Sequence, residues 1–217
     1  MPVFQKDNKS ILFVHVPKAG GSYVEQLFKI NGFSVAFFDN GRNLNPLRCC
    51  SPQHYHKEIL EVLLKVDKMD YSFMTVREPI SRFISEFKMR NNKRKNPLEI
   101  NDWVKGVYSA YQKDSYIYDN HIRPQKEFYF QGVEFYKQDC GLDDKFAEAI
   151  EQKSGIELPV KKIDRVMVRD KIKKDGFDES VALSLESYKI LLDMYAEDYE
   201  LFGFARPSFA CFDYNLK

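Results

Sequence analysis

The chain has 217 residues, the size of one ordinary domain with a sizeable core. Hydrophobic residues make up 44% and charged residues 30%, which excludes a disordered tail and a fibrous repeat. Lys and Arg total 33 against 32 for Asp and Glu, so the formal net charge of +1 gives no reason to expect nucleic acid as a partner.

The cysteines and the apolar runs set the expected compartment. Four scattered cysteines are too few for a disulfide framework, and no apolar run approaches the ~20 residues of a membrane-spanning helix. The first ten residues are partly charged and do not resemble a secretory leader. We therefore expect a cytoplasmic chain with no transmembrane segment.

The first third of the chain begins with a strand, a glycine-containing turn and a helix. Residues 11–16 form a short, β-rich apolar run, which predicts a strand buried on both faces. Residues 17–22 are turn-forming, and residues 23–30 carry apolar side chains at helical spacing. Residues 34–38 predict a second strand. Ser51 and Pro52 then predict the start of another helix.

The rest of the chain repeats this pattern. Residues 70–76 predict a third strand that feeds a helix, and residues 133–136 a fourth strand followed by a helix to about residue 152. Residues 180–201 predict one long helix that ends near Gly203. The predicted fold is α/β, a central parallel sheet flanked by helices in a single domain over residues 1–217, with its core at about residues 11–204.

The first turn has the chemistry of an anion site. The first N–H groups of a helix have no internal partner, and Gly20 and Gly21 let the backbone approach a ligand closely. Lys18 adds a positive charge and Ser22 a hydroxyl donor. The lysine precedes the glycines, so the segment is not a Walker A loop, and no G-x-G-x-x-G fingerprint is present.

Two segments carry a resemblance to a known family. Residues 13–22, Phe-Val-His-Val-Pro-Lys-Ala-Gly-Gly-Ser, resemble the 5′-phosphosulfate-binding loop of sulfotransferases. Residues 76–87, Val-Arg-Glu-Pro-Ile-Ser-Arg-Phe-Ile-Ser-Glu-Phe, resemble the 3′-phosphate motif of that family. Residues 50–54, 120–125 and 195–204 are similar to the carbohydrate-type branch, which includes heparan sulfate 2-O-sulfotransferase and many bacterial members.

The resemblance implies a donor, a fold and a set of residues. The donor would be 3′-phosphoadenosine 5′-phosphosulfate (PAPS), and the fold nucleotide-kinase-like, of P-loop type. Lys18 and the backbone amides that follow it would hold the 5′ end, and an arginine and a serine the 3′-phosphate, because a guanidinium donates two hydrogen bonds at once. The expected donor-binding residues are Lys18, Ala19, Gly20, Gly21, Ser22, Arg77 and Ser85.

The expected chemistry is transfer of a sulfuryl group to an acceptor hydroxyl. Lys18 would neutralise the leaving phosphate oxygen, as a metal ion does in phosphoryl transfer. No cluster of Asp, Glu and His has the spacing of metal ligands, so we expect no metal. Residues 88–95 hold five cations, either a solvated helix end or a rim that attracts an anionic acceptor. Lys161, Lys162, Arg165 and Arg169 would add charge near the nucleotide.

An acceptor hydroxyl must lose a proton, and four histidines are candidate bases. His15 lies inside the first predicted strand, which favours a structural role. His54 is the best match to the base of the resembled branch, and His56 would lie about 200° further round a regular helix. His121 with Arg123 is the second choice, either as base or as part of the acceptor pocket.

The resulting hypothesis is a sulfotransferase that acts on a small-molecule or glycan acceptor, most specifically a carbohydrate hydroxyl. Two alternatives stay open. One is a non-catalytic nucleotide- or glycan-binding module, and the other is a small-molecule kinase, which the missing Walker A order and the lack of magnesium ligands disfavour.

Overall fold

A computed structural model of the chain describes residues 2–38, 47–92, 94–161, 163 and 181–212. Within these ranges there are five strands and seven α-helices. The strands are β1 (Val3–Lys6), β2 (Lys9–Val14), β3 (Ser34–Ala36), β4 (Tyr71–Val76) and β5 (Glu134–Lys137). The helices are α1 (Gly21–Ile30), α2 (Lys57–Leu63), α3 (Pro79–Asn91), α4 (Ile100–Lys113), α5 (Asp144–Ser154), α6 (Leu185–Met194) and α7 (Ala196–Phe202).

The strands form one mixed sheet in the order β3-β1-β2-β4-β5. Strand β2 is parallel to β4, and β4 is parallel to β5, whereas β1 is antiparallel to both of its neighbours. The expected parallel sheet is therefore correct for the half that carries the two motifs and wrong for β1. Strand β1 also places part of the sheet before residue 11.

Strand β1 exists because a tight hairpin follows it. Asp7 and Asn8 both have positive φ, 50° and 63°, as the two central residues of a type I′ turn require. The turn pairs Lys6 with Lys9 and Val3 with Leu12. Asp and Asn tolerate this left-handed backbone better than most residues, so the dipeptide supports a short hairpin that apolar patterning did not detect.

Both faces of the sheet are covered. Ile11 and Phe13 point to one face, where α1 and α5 pack, and Leu12 and Val14 point to the other, where Leu60 of α2 lies. This alternation follows from the two-residue period of a strand. A third apolar cluster joins α3, α4 and α6. The sheet is thus an inner layer among the described residues, and the ends of its parallel strands open to the turns that carry the two motifs.

Two predicted helices differ from the structure. Ser51 begins a short 3₁₀ turn, Pro52–His54, and the helix itself begins only at Lys57 with His56 as its N-cap residue. The long helix predicted at residues 180–201 is two helices, which meet at Tyr195 and end at Gly203 with φ 59°. The spacing of apolar residues does not reveal either difference, because a short 3₁₀ turn or a change of helix axis leaves that spacing nearly unchanged.

Some expectations fall outside the described residues. These are the positive charges at Lys162, Arg165 and Arg169, and most of the loop before Ser51. Lys161 is described, and its ammonium pairs with Glu151 at 2.9 Å.

Candidate active site

The turn after β2 brings Lys18 and the start of α1 to the carboxyl end of the sheet. Lys18 has φ 66° and Gly20 φ 90°, so the chain reverses within a few residues. A Cβ on Gly21 would lie 2.1 Å from Nε2 of His15, so only glycine fits there. No side chain caps α1. Its first N–H groups can therefore bind an anion, and Lys18 places a positive charge beside them.

Arg77 reaches the same edge from the next strand. Strands β2 and β4 are parallel neighbours, with Val14 opposite Met74, so the residues that follow each strand emerge side by side. Gln125 holds the backbone of Arg77 at both ends: its Oε1 accepts from the Arg77 N–H at 2.9 Å, and its Nε2 donates to the Arg77 carbonyl at 2.8 Å.

The Arg77 guanidinium is poised for a ligand. Its buried Nε has no hydrogen-bond partner within the described ranges. Burial lowers its pKa, although Asp139 and Glu78 partly oppose that effect. A buried charged donor that lacks an acceptor is costly, so this group fits an incoming phosphate.

A cavity of about 290 Å³ joins these cations. Its lining residues are Lys18, Arg77, Ser81, Ile84, Ser85, Lys88 and Met89. The structure therefore places Lys18, Arg77 and Ser85 around one cavity, and their roles in donor binding stay a prediction. Lys18 Nζ lies 3.4 Å from the sulfur of Met89. Ser81 and Lys88 are further lining residues that the motif comparison had not singled out, and their helical spacing from Ser85 explains their place.

Helix α3 carries a second stripe of charged residues beside the cavity stripe. Arg82 and Glu86, one turn apart, are both buried. Arg82 donates to the backbone carbonyls of Arg123 at 2.7 Å and His121 at 3.1 Å. It thus fastens the segment that follows α4 to the helix, through carbonyls rather than a carboxylate.

His54 lies against Asp119. Its Nδ1 is 2.8 Å from Oδ2 of Asp119, and Ser51 donates its backbone N–H and its hydroxyl to the same carboxylate, at 2.5 and 2.8 Å. An ionised carboxylate only accepts hydrogen bonds, so Nδ1 donates and Nε2 keeps its lone pair. Burial lowers the pKa of His54, and Asp119 partly offsets that shift. Burial alone would raise the pKa of Asp119, but His54 and Ser51 bring it to about 2. His54 is therefore a neutral, oriented base.

His121 repeats this arrangement with Glu86. Its Nδ1 lies 2.7 Å from Oε2 of Glu86, so its Nε2 also keeps a lone pair. Burial lowers the pKa of His121, although Glu86 opposes the shift. Burial would raise the pKa of Glu86, but the bond to His121 and the charges of Arg90 and Lys18 outweigh it, and the value falls to about 2. The rings of His54 and His121 meet edge to face, with centroids 4.7 Å apart.

A strained turn holds Asp119 in place. Tyr118, Asp119 and Asn120 have φ of 55°, 60° and 63°, three consecutive left-handed residues without a glycine. Such a backbone costs on the order of 1 kcal/mol per residue. Asn120 stabilises it by donating to the His54 carbonyl at 2.9 Å, and Arg123 Nε donates to Asn120 Oδ1 at 3.0 Å. The turn aims the Asp119 carboxylate at the imidazole.

The other candidate residues have different surroundings. His15 follows β2 rather than lying inside it, and its Nδ1 contacts Glu25 at 2.6 Å. His56 is buried, and its Nε2 faces Glu58 at 3.6 Å. Arg123 is also buried, and its guanidinium binds residues of its own segment: Asn120, the Ser115 hydroxyl and the carboxylate of Glu127. It holds the strained turn in place.

Three side chains from distant positions converge closely enough to bind a metal ion. His54, Asp119 and His121 each place a donor atom within 4.8 Å of the other two. Sequence spacing did not reveal this group, because Asp119 and His121 are more than sixty residues from His54. Asp119 lies outside the segments that carry the family resemblance, and Glu86 lies inside residues 76–87 but has no predicted role. Their position opposite a histidine is visible only in three dimensions.

Comparison of the sequence with models of known protein families identifies the family of this chain. A model described as "Sulfotransferase family" matches residues 1–205. The chain therefore belongs to the sulfotransferase family, whose members transfer sulfuryl groups. Searches of curated proteins and of solved structures return no match. Among the described helices, none has both the length and the apolar character needed to cross a membrane.

Proposed function

We propose that this transferase moves a sulfuryl group from PAPS to a hydroxyl of an acceptor, with a carbohydrate as the leading acceptor class. The observation that carries the proposal is the cavity beside α3, at the ends of β2 and β4, which Lys18 and Arg77 both line and in which none of the described lining residues is acidic. PAPS has anionic groups at both its 5′ and 3′ ends, and two cations from different segments of the chain can each bind one of them.

The residues at the cavity fit that donor. Lys18 and the amides of residues 19–22 would bind the 5′ end, and Arg77 with Ser85 the 3′-phosphate. The donor supplies the sulfuryl group. His54 Nε2 accepts the acceptor's proton as the acceptor oxygen bonds to sulfur. Lys18 stabilises the phosphate oxygen that receives the electron pair of the breaking S–O bond.

Helix α3 joins the two halves of this chemistry. Ser85 faces the cavity, and the next residue, Glu86, binds His121 beside the proposed base. Consecutive residues lie about 100° apart on a helix, so the cavity and the histidine pair border adjacent stripes of α3. In-line displacement needs the acceptor oxygen and the leaving oxygen on opposite sides of one sulfur, so donor and acceptor would meet where these two stripes adjoin.

The experiment combines donor binding with transfer. Calorimetry with the desulfated donor, 3′-phosphoadenosine 5′-phosphate, measures affinity, and labelled PAPS with a panel of sugars measures transfer. Lys18→Ala should lower turnover more than it lowers donor affinity, because the charge it stabilises grows in the transition state. The matched control is Lys88→Ala, because Lys88 lines the same cavity.

Three results would contradict the proposal. Preference for ATP over PAPS would favour the kinase, and donor binding without transfer to any acceptor would favour a binding module. Loss of transfer in chelator, restored by magnesium, would contradict the metal-free role of Lys18. We expect activity to persist in chelator.

A further inference from the structure

We propose that the acceptor presents two adjacent hydroxyl groups, and that His121 binds the second hydroxyl while His54 deprotonates the first. This inference rests on the proposed function and specifies its acceptor. The ligand class is a vicinal diol, as found on a sugar or cyclitol ring.

The two imidazoles form a matched pair of hydrogen-bond acceptors. Each Nδ1 is committed to a carboxylate, Asp119 for His54 and Glu86 for His121, at 2.8 and 2.7 Å. Each Nε2 is therefore left as an acceptor with no donor from the described residues. Both side chains keep some exposure, 11% for His54 and 16% for His121, so a ligand can reach them.

The chemistry of the pair favours hydroxyl groups over anions. A neutral imidazole nitrogen accepts an O–H donor, whereas a carboxylate or sulfate offers it no proton. The carboxylates behind both rings add negative charge, which also disfavours an anionic group at this point. The cations that suit an anion line the cavity, at Lys18 in the turn after β2 and at Lys88 on α3.

The closeness of the two rings favours two neighbouring hydroxyls. The ring centroids of His54 and His121 are 4.7 Å apart, and the ring planes are 83° apart. A hydroxyl lies about 2.8 Å from the nitrogen that accepts from it. Two hydroxyls on adjacent carbons can therefore each meet one nitrogen, whereas a single hydroxyl donates only one proton and satisfies one of them.

Glu86 explains why His121 is held so firmly. The carboxylate is fully buried and also binds Arg90, so the imidazole it orients cannot turn without breaking an ionic network. His121 is thus a binding residue, distinct from the base. Removing it should cost affinity for the second hydroxyl and leave proton transfer at the first intact.

The test compares trans-cyclohexane-1,2-diol with cyclohexanol as acceptors for labelled PAPS. After correction for its two equivalent hydroxyls, the diol should have a kcat/KM about 3- to 10-fold higher in the wild type, the effect of one hydrogen bond. In His121→Ala the ratio of kcat/KM for the diol to kcat/KM for cyclohexanol should fall to about one, mainly through a higher KM for the diol. His56→Ala, a buried histidine that faces Glu58, should keep the preference.

A second measurement needs neither turnover nor a variant. Titration of the diol into wild-type protein loaded with desulfated donor should shift the ¹⁵N resonances of Nε2 in both His54 and His121, whereas cyclohexanol should shift only one. Equal use of the two acceptors by the wild type would overturn the proposal, as would a preference that survives in His121→Ala. Failure of donor binding would instead contradict the proposed function.

Discussion

The donor cavity and the imidazole cluster border adjacent stripes of α3, and they differ in the charges of the side chains that surround them. The cavity gathers Lys18, Arg77 and Lys88, and none of its described lining residues is acidic. In the cluster, His54 and His121 each contact a carboxylate. The first region therefore suits a polyanion, and the second suits a neutral hydroxyl. Under the proposed function, the first region binds the donor and the second binds the acceptor.

Replacing His54 should have the largest effect and should affect only the second region. His54→Ala should lower turnover by ~10²–10⁴, the usual contribution of a general base, and leave donor affinity nearly unchanged. Because the base must be neutral, activity should fall as pH drops through its pKa. Burial lowers that pKa, so the acid limb should lie below the ordinary value of 6.5.

The pH–rate profile of the variant checks this assignment. The acid limb should vanish in His54→Ala. If it persists there and disappears in His121→Ala or His56→Ala, the base is that residue instead.

Replacing Arg77 should affect only the first region. Arg77→Ala should weaken binding of 3′-phosphoadenosine 5′-phosphate by about 2–4 kcal/mol, ~30- to 10³-fold in Kd, because a charge-assisted phosphate contact is lost. Arg77→Lys keeps the charge without the planar fork and should recover part of the affinity. Calorimetry that finds unchanged affinity in folded Arg77→Ala would remove the 3′-phosphate assignment.

Asp119→Asn should have a smaller effect on turnover than His54→Ala, and it tests whether the carboxylate of the imidazole cluster orients the base. The Asp119 charge supports the protonated form of His54, so its loss should lower the pKa of His54 further and move the acid limb to lower pH. Turnover should fall about 10- to 10²-fold, because Asn can also hold the wrong tautomer. A limb that does not move, with full activity, would show that the pair does not orient the base.

The smallest effect concerns the turn that serves the donor region. Gly21→Ala places a Cβ 2.1 Å from the buried imidazole of His15, and this overpacking should cost about 1–3 kcal/mol. The melting temperature should fall by roughly 3–10 °C. Gly106→Ala, an open position on α4, is the control and should raise it slightly. Equal melting temperatures would contradict the close approach at Gly21.

The donor region could be read from the sequence, and the imidazole cluster only in part. Lys18, Arg77 and Ser85 lie in two short motifs, each after a buried strand, and local patterns of this kind are visible in one dimension. Asp119 and Glu86 sit far from the histidines they orient. The pairing depends on three left-handed residues, Tyr118 to Asn120, which composition does not indicate.

Some elements of the fold could likewise be predicted from the sequence, and others could not. Strands β2 and β4 were predicted because they are buried on both faces and read as continuous apolar runs. Strand β1 was missed because it is only four residues long and depends on the turn at Asp7 and Asn8. The break at Tyr195 was missed because the apolar spacing is the same in one helix and in two.

Helix α3 has a consequence for protein engineering. Ser85 lines the cavity and its neighbour Glu86 binds His121, so under the proposed function a shift of this helix that improved one site would displace the other. Substitutions in α3 would therefore change donor specificity and acceptor specificity together. Acceptor preference should be easier to redesign in the segment around Ser51, which contacts Asp119 and His54 and contributes none of the described lining residues of the cavity. Libraries confined to that segment would leave donor recognition constant while the acceptor is varied.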